Sequence, residues 1–127
     1  MRILIDTHIF LWAITGDPRL SRKHRELYVE PGNELFLSMA SIWEIMIKVS
    51  AGRLPMPVPA VEYLTKQIET NRLTLLPLRM THFNELEKLP LLHKDPFDRL
   101  LAAQARAEAL PLMTVDPALR KYKVKVL

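Results

Sequence analysis

Short runs of apolar residues alternate along the chain with longer segments in which apolar and polar residues mix. The first run, residues 2–5, stops abruptly at Asp6, Thr7 and His8, and a second apolar stretch follows at residues 9–12. A continuous apolar run of this length followed by a polar break predicts a strand buried on both faces that leads into a helix. Four further apolar runs predict strands. They span residues 34–38, 73–78, 111–115 and 124–127.

Helices are predicted between the strands, with turn residues at their ends. The helix at 41–51 is apolar around most of its circumference, so we expect it to be largely buried. Phe10, Trp12 and Trp43 are expected in the core. Strands that alternate with helices predict an α/β fold, a three-layer sandwich with a mostly parallel central sheet flanked by helices. The other predicted helices follow Asp6 and Asp116 and cover residues 21–29, 60–71, 81–88 and 99–110.

Composition narrows the class of protein, and 127 residues predict one domain spanning residues 1–127. No apolar stretch approaches the roughly 18 residues of a membrane span, and Asp6 interrupts the first run too early for a signal peptide. The absence of cysteine excludes disulfides and thiolate metal sites, and a cytoplasmic location fits. The three glycines are scattered, which excludes glycine-rich phosphate loops. A net charge of +4 suits a polyanionic partner.

Four carboxylates are predicted to meet at one edge of the sheet. Asp6 and Asp116 each follow an apolar strand and precede a helix, which places both at the carboxyl ends of parallel strands. Asp98 and Glu44 lie in the first turns of their predicted helices, and a helix that follows a strand begins at this same edge. Open α/β sheets bind their ligands there.

Each of these acids also has a structural explanation. Asp6 and Asp116 have the position of helix N-caps, where aspartate is favoured. Residues 41–44, Ser-Ile-Trp-Glu, match the spacing of a capping box, which gives Glu44 a role at the start of its helix. Asp98 lies where the helix dipole favours a negative charge.

Taken together, these structural explanations are insufficient, because the acids would repel one another. Two carboxylates about 5 Å apart repel by roughly 3 kcal/mol at an effective dielectric constant near 20. Four in one notch must be protonated, driven apart or bound to cations. Oxygen ligands without cysteine select hard ions, so the residues predict a site for one or two Mg²⁺ or Mn²⁺ ions. Such a site suits phosphodiester hydrolysis, since bound ions activate water and stabilise charge on the phosphate.

Four short segments carry these acids: residues 4–8 (Leu-Ile-Asp-Thr-His), 41–45 (Ser-Ile-Trp-Glu-Ile), 93–99 (His-Lys-Asp-Pro-Phe-Asp-Arg) and 114–116 (Thr-Val-Asp). In this order they resemble the successive motifs of the PIN domain family, and most of all those of VapC-type toxins of toxin–antitoxin pairs. The resemblance extends from Met1 to the C-terminus. It implies a PIN-like fold and a ribonuclease that depends on Mg²⁺ or Mn²⁺, is usually dimeric and is neutralised by a cognate antitoxin.

The resemblance also assigns roles to individual residues. Asp6, Glu44, Asp98 and Asp116 match the family's acidic quartet and are the candidate catalytic and metal-binding residues. Asp6 and Asp98 are the expected direct ligands, and the other two acids complete the shell or bind through water. Thr114 matches the family's small hydroxyl residue beside the last acid and is expected to orient a ligand or water.

Other polar residues near the motifs are weaker candidates. Asp95 is an additional acid with the pattern of a helix cap, because a proline follows it. Arg99 and Lys94 flank the expected site and are candidates for contacts with RNA phosphates. His8 and His93 lie next to the acids, but a histidine in such a place is more often a hydrogen-bonded neighbour than a ligand.

The resulting hypothesis is a metal-dependent endoribonuclease toxin that acts on RNA, forms a homodimer and has a cognate antitoxin as its partner. Two alternatives remain open. One is a non-catalytic PIN-like module that binds RNA or protein, which the complete acidic set disfavours. The other is a phosphoacceptor signalling domain that uses Asp6. Such domains need an acidic pair near the first strand and a lysine after a late one, whereas here a single acid follows the first strand and Asp116 follows a later one.

Overall fold

Four strands form the central sheet of the computed structural model, which describes residues 1–127. They are β1 (Arg2–Ile5), β2 (Glu34–Ser38), β3 (Thr74–Leu76) and β4 (Leu112–Met113). All pairs are parallel and the order is β3-β2-β1-β4, so the first strand lies inside the sheet. Ile5 at the end of β1 lies opposite Leu37 of β2 on one side and Met113 of β4 on the other. The carboxyl ends of these three strands therefore meet at one edge.

Helices cover both faces of the sheet, which confirms the predicted α/β sandwich. The first four helices pack on one face, and the last two α-helices with a 3₁₀ helix pack on the other. None of the helices combines the length and the apolar character that a membrane crossing requires. They are α1 (Thr7–Thr15), α2 (Arg22–Val29), α3 (Met39–Ser50), α4 (Ala60–Thr70), α5 (Met80–Lys88), α6 (Pro96–Ala107) and the 3₁₀ helix (Pro117–Tyr122).

The pleat of β1 divides the interior into two apolar cores. Ile3 and Ile5 point to one face, where they pack with Phe10 of α1 in a fully buried cluster. Leu4 points to the opposite face and packs in a second cluster that contains Leu101 of α6. Apolar side chains on both faces are what the continuous apolar run predicts for a covered parallel strand.

The C-terminal part of the sheet is smaller than predicted. The prediction of a strand at 124–127 is wrong, because in this segment only Val126 forms a bridge, which pairs it with Leu112. The strand expected at 111–115 is reduced to the two residues of β4. Lys123 adopts a left-handed conformation (φ 58°) where the 3₁₀ helix ends, and the chain then returns beside β4 only briefly.

Helix α3 differs most from its prediction. It begins at Met39, and Ser38 is its N-cap, with a side chain that accepts a hydrogen bond from the backbone N–H of Ala40. Glu44 therefore lies in the second turn, and the predicted capping box does not form. The helix is not largely buried either, since Trp43 is 61% exposed. Placing Trp43 in the core was wrong because a helix that is apolar all round gives no signal of its outer face.

Candidate metal centre at the carboxyl edge of the sheet

Asp6 follows β1 and is held in place through both carboxylate oxygens. Its Oδ1 accepts a hydrogen bond of 2.8 Å from the backbone N–H of Ile9, which makes Asp6 the N-cap of α1. Its Oδ2 accepts a short hydrogen bond from the hydroxyl of Thr114. Burial raises the pKa of Asp6, and these two hydrogen bonds offset only part of that rise. A cation bound beside such a carboxylate stabilises its charged form.

Asp116 reaches the same edge from β4, the neighbour of β1. Its backbone N–H donates to Thr114 Oγ1 at 3.1 Å, so one threonine hydroxyl contacts both acidic residues. Asp116 Oδ1 accepts from the backbone N–H of Ala118 and caps the 3₁₀ helix, while Oδ2 lies 2.9 Å from His93 Nε2. Partial desolvation favours a higher pKa for Asp116, but the hydrogen bonds from His93 and Ala118 outweigh it and lower that pKa.

Asp98 lies in the first turn of α6, which confirms its predicted position. Asp95 is the N-cap of this helix and accepts hydrogen bonds from the backbone N–H groups of Phe97 and Asp98. Burial, followed by the charge of Asp95, raises the pKa of Asp98 to about 7, and the charges of Asp6 and Glu44 add to the rise. The carboxylates of Asp6 and Glu44 are therefore near enough to Asp98 to disfavour its ionisation.

Glu44 is buried and its two carboxylate oxygens have different partners. Oε1 accepts a hydrogen bond of 2.6 Å from Thr7, the residue after Asp6, and the Thr7 hydroxyl also lies 3.0 Å from Ser41 Oγ. Oε2 forms an ion pair of 3.1 Å with Lys48, one turn further along α3. Sequence reasoning missed Thr7 and Ser41, although a hydroxyl directly after Asp6 at a helix start is a signal that could have identified Thr7.

His93 lies between the acids of two different elements. Its Nε2 is 2.9 Å from Asp116 Oδ2 and 3.4 Å from Asp98 Oδ2, and these three groups have donor atoms within 4.8 Å of one another. The backbone N–H of Asp95 donates to His93 Nδ1, so the neutral imidazole carries its proton on Nε2. In this arrangement His93 is a hydrogen-bond donor to the carboxylates.

The two predicted RNA contacts lie in different environments. Lys94 is exposed and forms no ion pair. Arg99 is partly buried and its Nη2 donates to the backbone carbonyl of Leu89 at 3.3 Å, which holds the guanidinium against the loop before α6. His8 is exposed near Asp6 and Asp116, and its charge limits the rise in the pKa of Asp6 and adds to the lowering of the pKa of Asp116.

An all-parallel sheet between helical layers, with acids collected at its carboxyl edge, defines an α/β protein with a candidate divalent-metal centre. The family model for the PIN domain matches residues 3–125, and the chain belongs to this family. PIN domains generally use divalent metal ions, and His93, Asp98 and Asp116 of this chain form a group of potential ligands whose donor atoms lie within 4.8 Å of one another. No curated protein matches the chain by sequence.

Solved structures similar to this chain include several toxin–antitoxin complexes. VapBC2 from Rickettsia felis, bound to a promoter DNA fragment, has a chain with 20% identity and a TM-score of 0.74, over 100% of this chain and 98% of that one. A chain of VapBC-1 from nontypeable Haemophilus influenzae has 17% identity and a TM-score of 0.72, and the match covers 100% of this chain and 97% of that one. A chain of a toxin–antitoxin complex from Klebsiella pneumoniae has 18% identity and a TM-score of 0.61, and the match covers 98% of this chain and 95% of that one. At these identities the likeness shows the fold.

Proposed function

We propose that this chain is a Mg²⁺- or Mn²⁺-dependent endoribonuclease that acts as the toxin of a toxin–antitoxin pair. The observation that carries the proposal is the convergence of Asp6, Glu44, Asp98 and Asp116 at the carboxyl edge, where burial and mutual repulsion raise the pKa of two of them. A fold needs no such concentration of negative charge, whereas a nuclease that binds divalent cations does.

The donor set fits a hard divalent cation. Asp6, Asp98 and Asp116 are the residues proposed to hold the ion, with one or two ions in the site, and all three offer carboxylate oxygens. When bound, such an ion polarises the scissile phosphate and makes a water molecule more acidic. Glu44 is proposed to contribute through water, because its ion pair with Lys48 already supplies a positive charge.

The remaining polar residues orient the acids. The Thr114 hydroxyl donates a hydrogen bond to Asp6 and accepts one from the backbone N–H of Asp116. Thr114 therefore fixes the spacing between the ends of β1 and β4. His93 donates to Asp116 and keeps that carboxylate turned towards Asp98. Metal ligands commonly depend on such hydrogen-bonded neighbours for orientation, and losing one typically costs 10- to 100-fold in affinity or activity.

The partners are proposed on the structural likeness. The similar chains from Rickettsia felis and Haemophilus influenzae come from VapBC structures, which supports a cognate antitoxin for this chain. The homodimer is proposed on the resemblance to VapC-type toxins, and sedimentation velocity of the purified chain tests it. A short adjacent reading frame whose product binds this chain is the expected source of the antitoxin.

The decisive experiment measures RNA cleavage by the chain purified free of its partner. We expect cleavage with Mg²⁺ or Mn²⁺, loss of cleavage in EDTA, and loss in Asp6→Asn, whose amide oxygen retains the helix cap. Glu87→Gln, at an exposed site on α5, is the matched control and should cleave like the wild type. Equal cleavage by wild type and Asp6→Asn overturns the proposal. Absence of cleavage by metal-loaded wild type also overturns it, in favour of a PIN-like binding module.

A further inference from the structure

A groove of about 480 Å³ lies between α1, the C-terminal part of α3 and the segment that leads to α4. Its volume is within the range of about 300–1,000 Å³ that is typical of ligand sites. Trp12 of α1 and Tyr63 of α4 line it, together with the apolar side chains of Leu54 and Met56. None of these residues has a role in the proposed chemistry, so the groove needs its own explanation.

The groove lies beside the acidic centre. His8, two residues after Asp6, lines it. Lys48 also lines it, and its ammonium group lies 3.1 Å from Glu44. A polymer whose backbone crosses the acidic centre therefore has a neighbouring cavity into which the adjoining unit of the polymer can extend.

The lining combines flat π surfaces with positive charge. The guanidinium of Arg19 lies over the Trp12 ring, 5.1 Å from the ring centroid, and Asp17 holds it there through an ion pair of 2.8 Å. Arg53 is exposed at the groove and forms no ion pair. Nucleobases that are not paired in a duplex stack on aromatic rings and on arginine guanidinium planes, and free arginines bind phosphates.

We infer that this groove binds the nucleotide of single-stranded RNA next to the scissile phosphate, with its base on the Trp12–Arg19 layer and a phosphate on Arg53. The inference rests on the proposed function and adds a substrate subsite to it. Charge complementarity favours RNA as the occupant. Asp17, the one acid in the lining, pairs with Arg19, and Lys48 pairs with Glu44, so Arg53 is the cation at the groove that is left for a phosphate.

Fluorescence tests this assignment directly, because the chain has only two tryptophans. Trp43→Phe changes an exposed residue and leaves Trp12 as the sole reporter. The probe is a mixed-sequence hexanucleotide with 2′-O-methyl riboses, added in EDTA so that no cleavage occurs. We expect saturable quenching of Trp12 emission, whereas Trp12→Phe, which reports from Trp43, should show no such change.

Salt dependence provides the second measurement. Arg53→Gln should weaken hexanucleotide binding and lower the slope of log K against log salt by about 0.7, the value for one single-strand phosphate contact. Lys23→Gln, at an exposed position on α2 outside the groove, is the charge-matched control and should keep the wild-type slope. Equal slopes in the two variants overturn the phosphate contact.

The possible failures are distinguishable. If anisotropy of an end-labelled RNA shows binding but Trp12 emission does not change, the groove assignment is overturned. The same result is expected if the groove holds a peptide instead. Cleavage of RNA together with that result leaves the nuclease proposal intact. Saturable Trp12 quenching with no metal-dependent cleavage overturns the nuclease proposal and supports the groove as an RNA-binding site.

Discussion

His93 and Asp116 are joined by a hydrogen bond of 2.9 Å that links the loop before α6 to the end of β4. The same imidazole nitrogen lies 3.4 Å from Asp98, so one donor is shared by two carboxylates from separate elements. A cation bound between those carboxylates would supply the same electrostatic compensation. The fold and the metal site are therefore expected to be coupled at His93.

Replacing His93 should reveal this coupling. In EDTA, His93→Ala should lower the free energy of unfolding by about 1 kcal/mol, less than the 1.5–3 kcal/mol typical of a hydrogen bond to a charged group because the site is partly exposed. In saturating Mg²⁺ the loss should shrink, since the ion then balances the two carboxylates. Urea denaturation followed by circular dichroism measures both values. An identical loss with and without Mg²⁺ would contradict the prediction.

The raised pKa of Asp98 predicts how metal-free stability depends on pH. With a pKa of about 7 in the folded chain and about 3.9 in the unfolded chain, the folded state binds the proton more tightly. Stability should therefore fall as the pH rises from about 4 to about 7. Asp98→Asn should flatten this fall, although Asp6, whose pKa is also raised, retains part of it. Urea midpoints in EDTA across this range measure the effect, and parallel curves for wild type and Asp98→Asn would refute it.

Thr114 provides a test of orientation. Thr114→Val keeps the shape of a buried side chain but removes the hydrogen bond to Asp6, so we expect a stability loss of about 1–3 kcal/mol. If the proposed nuclease function holds, activity should fall about 10- to 100-fold. The hydrogen bond from Thr114 lowers the pKa of Asp6, so its loss should raise that pKa and move the acidic limb of the pH–activity profile to higher pH. Thr114→Ser should restore the profile. A uniform loss of activity at every pH would argue for a purely structural role.

Two aromatic residues that the sequence places together in the core should behave differently. Phe10 is fully buried, and Phe10→Ala should cost about 3–5 kcal/mol. Trp43 is exposed and packs edge-to-face with Phe97 at 5.4 Å between ring centroids, so Trp43→Ser should cost less than about 1.5 kcal/mol. Equilibrium urea unfolding compares the two variants, and similar losses would show that Trp43 is buried.

Strand ends were the part of the site that the sequence located best. The apolar run before Asp6 marks where β1 stops, and a parallel arrangement then determines which edge Asp6 and Asp116 occupy. Asp95 was also identifiable as a cap, because aspartate followed by proline has a distinct meaning at a helix start, and the structure confirms it. These features depend on neighbouring residues alone.

Features that depend on tertiary packing were not predictable in the same way. Ser38 and Ser41 are both plausible caps for α3, and only the structure shows that Ser38 is used, with its hydroxyl also hydrogen-bonded to the buried Gln104 of α6. The proximity of His93 to Asp116 depends on how a loop folds across the sheet edge, for which the sequence has no periodic signal. Thr7 is marked by its position directly after Asp6, but its contact with Glu44, 37 residues away, has no sequence signal.

Asp6 and Asp116 each use one oxygen to cap the following helix, and the other oxygen is the one proposed for the metal ion. Architecture and chemistry thus share the same atoms at both positions. Alanine there would remove a helix start along with a ligand, and a misfolded chain would then be mistaken for an inactive one. Asparagine separates the two roles, since its amide oxygen still receives the backbone while the negative charge is gone. If the proposed function holds, a folded but inactive form of this protein therefore differs from it by a single amide substitution.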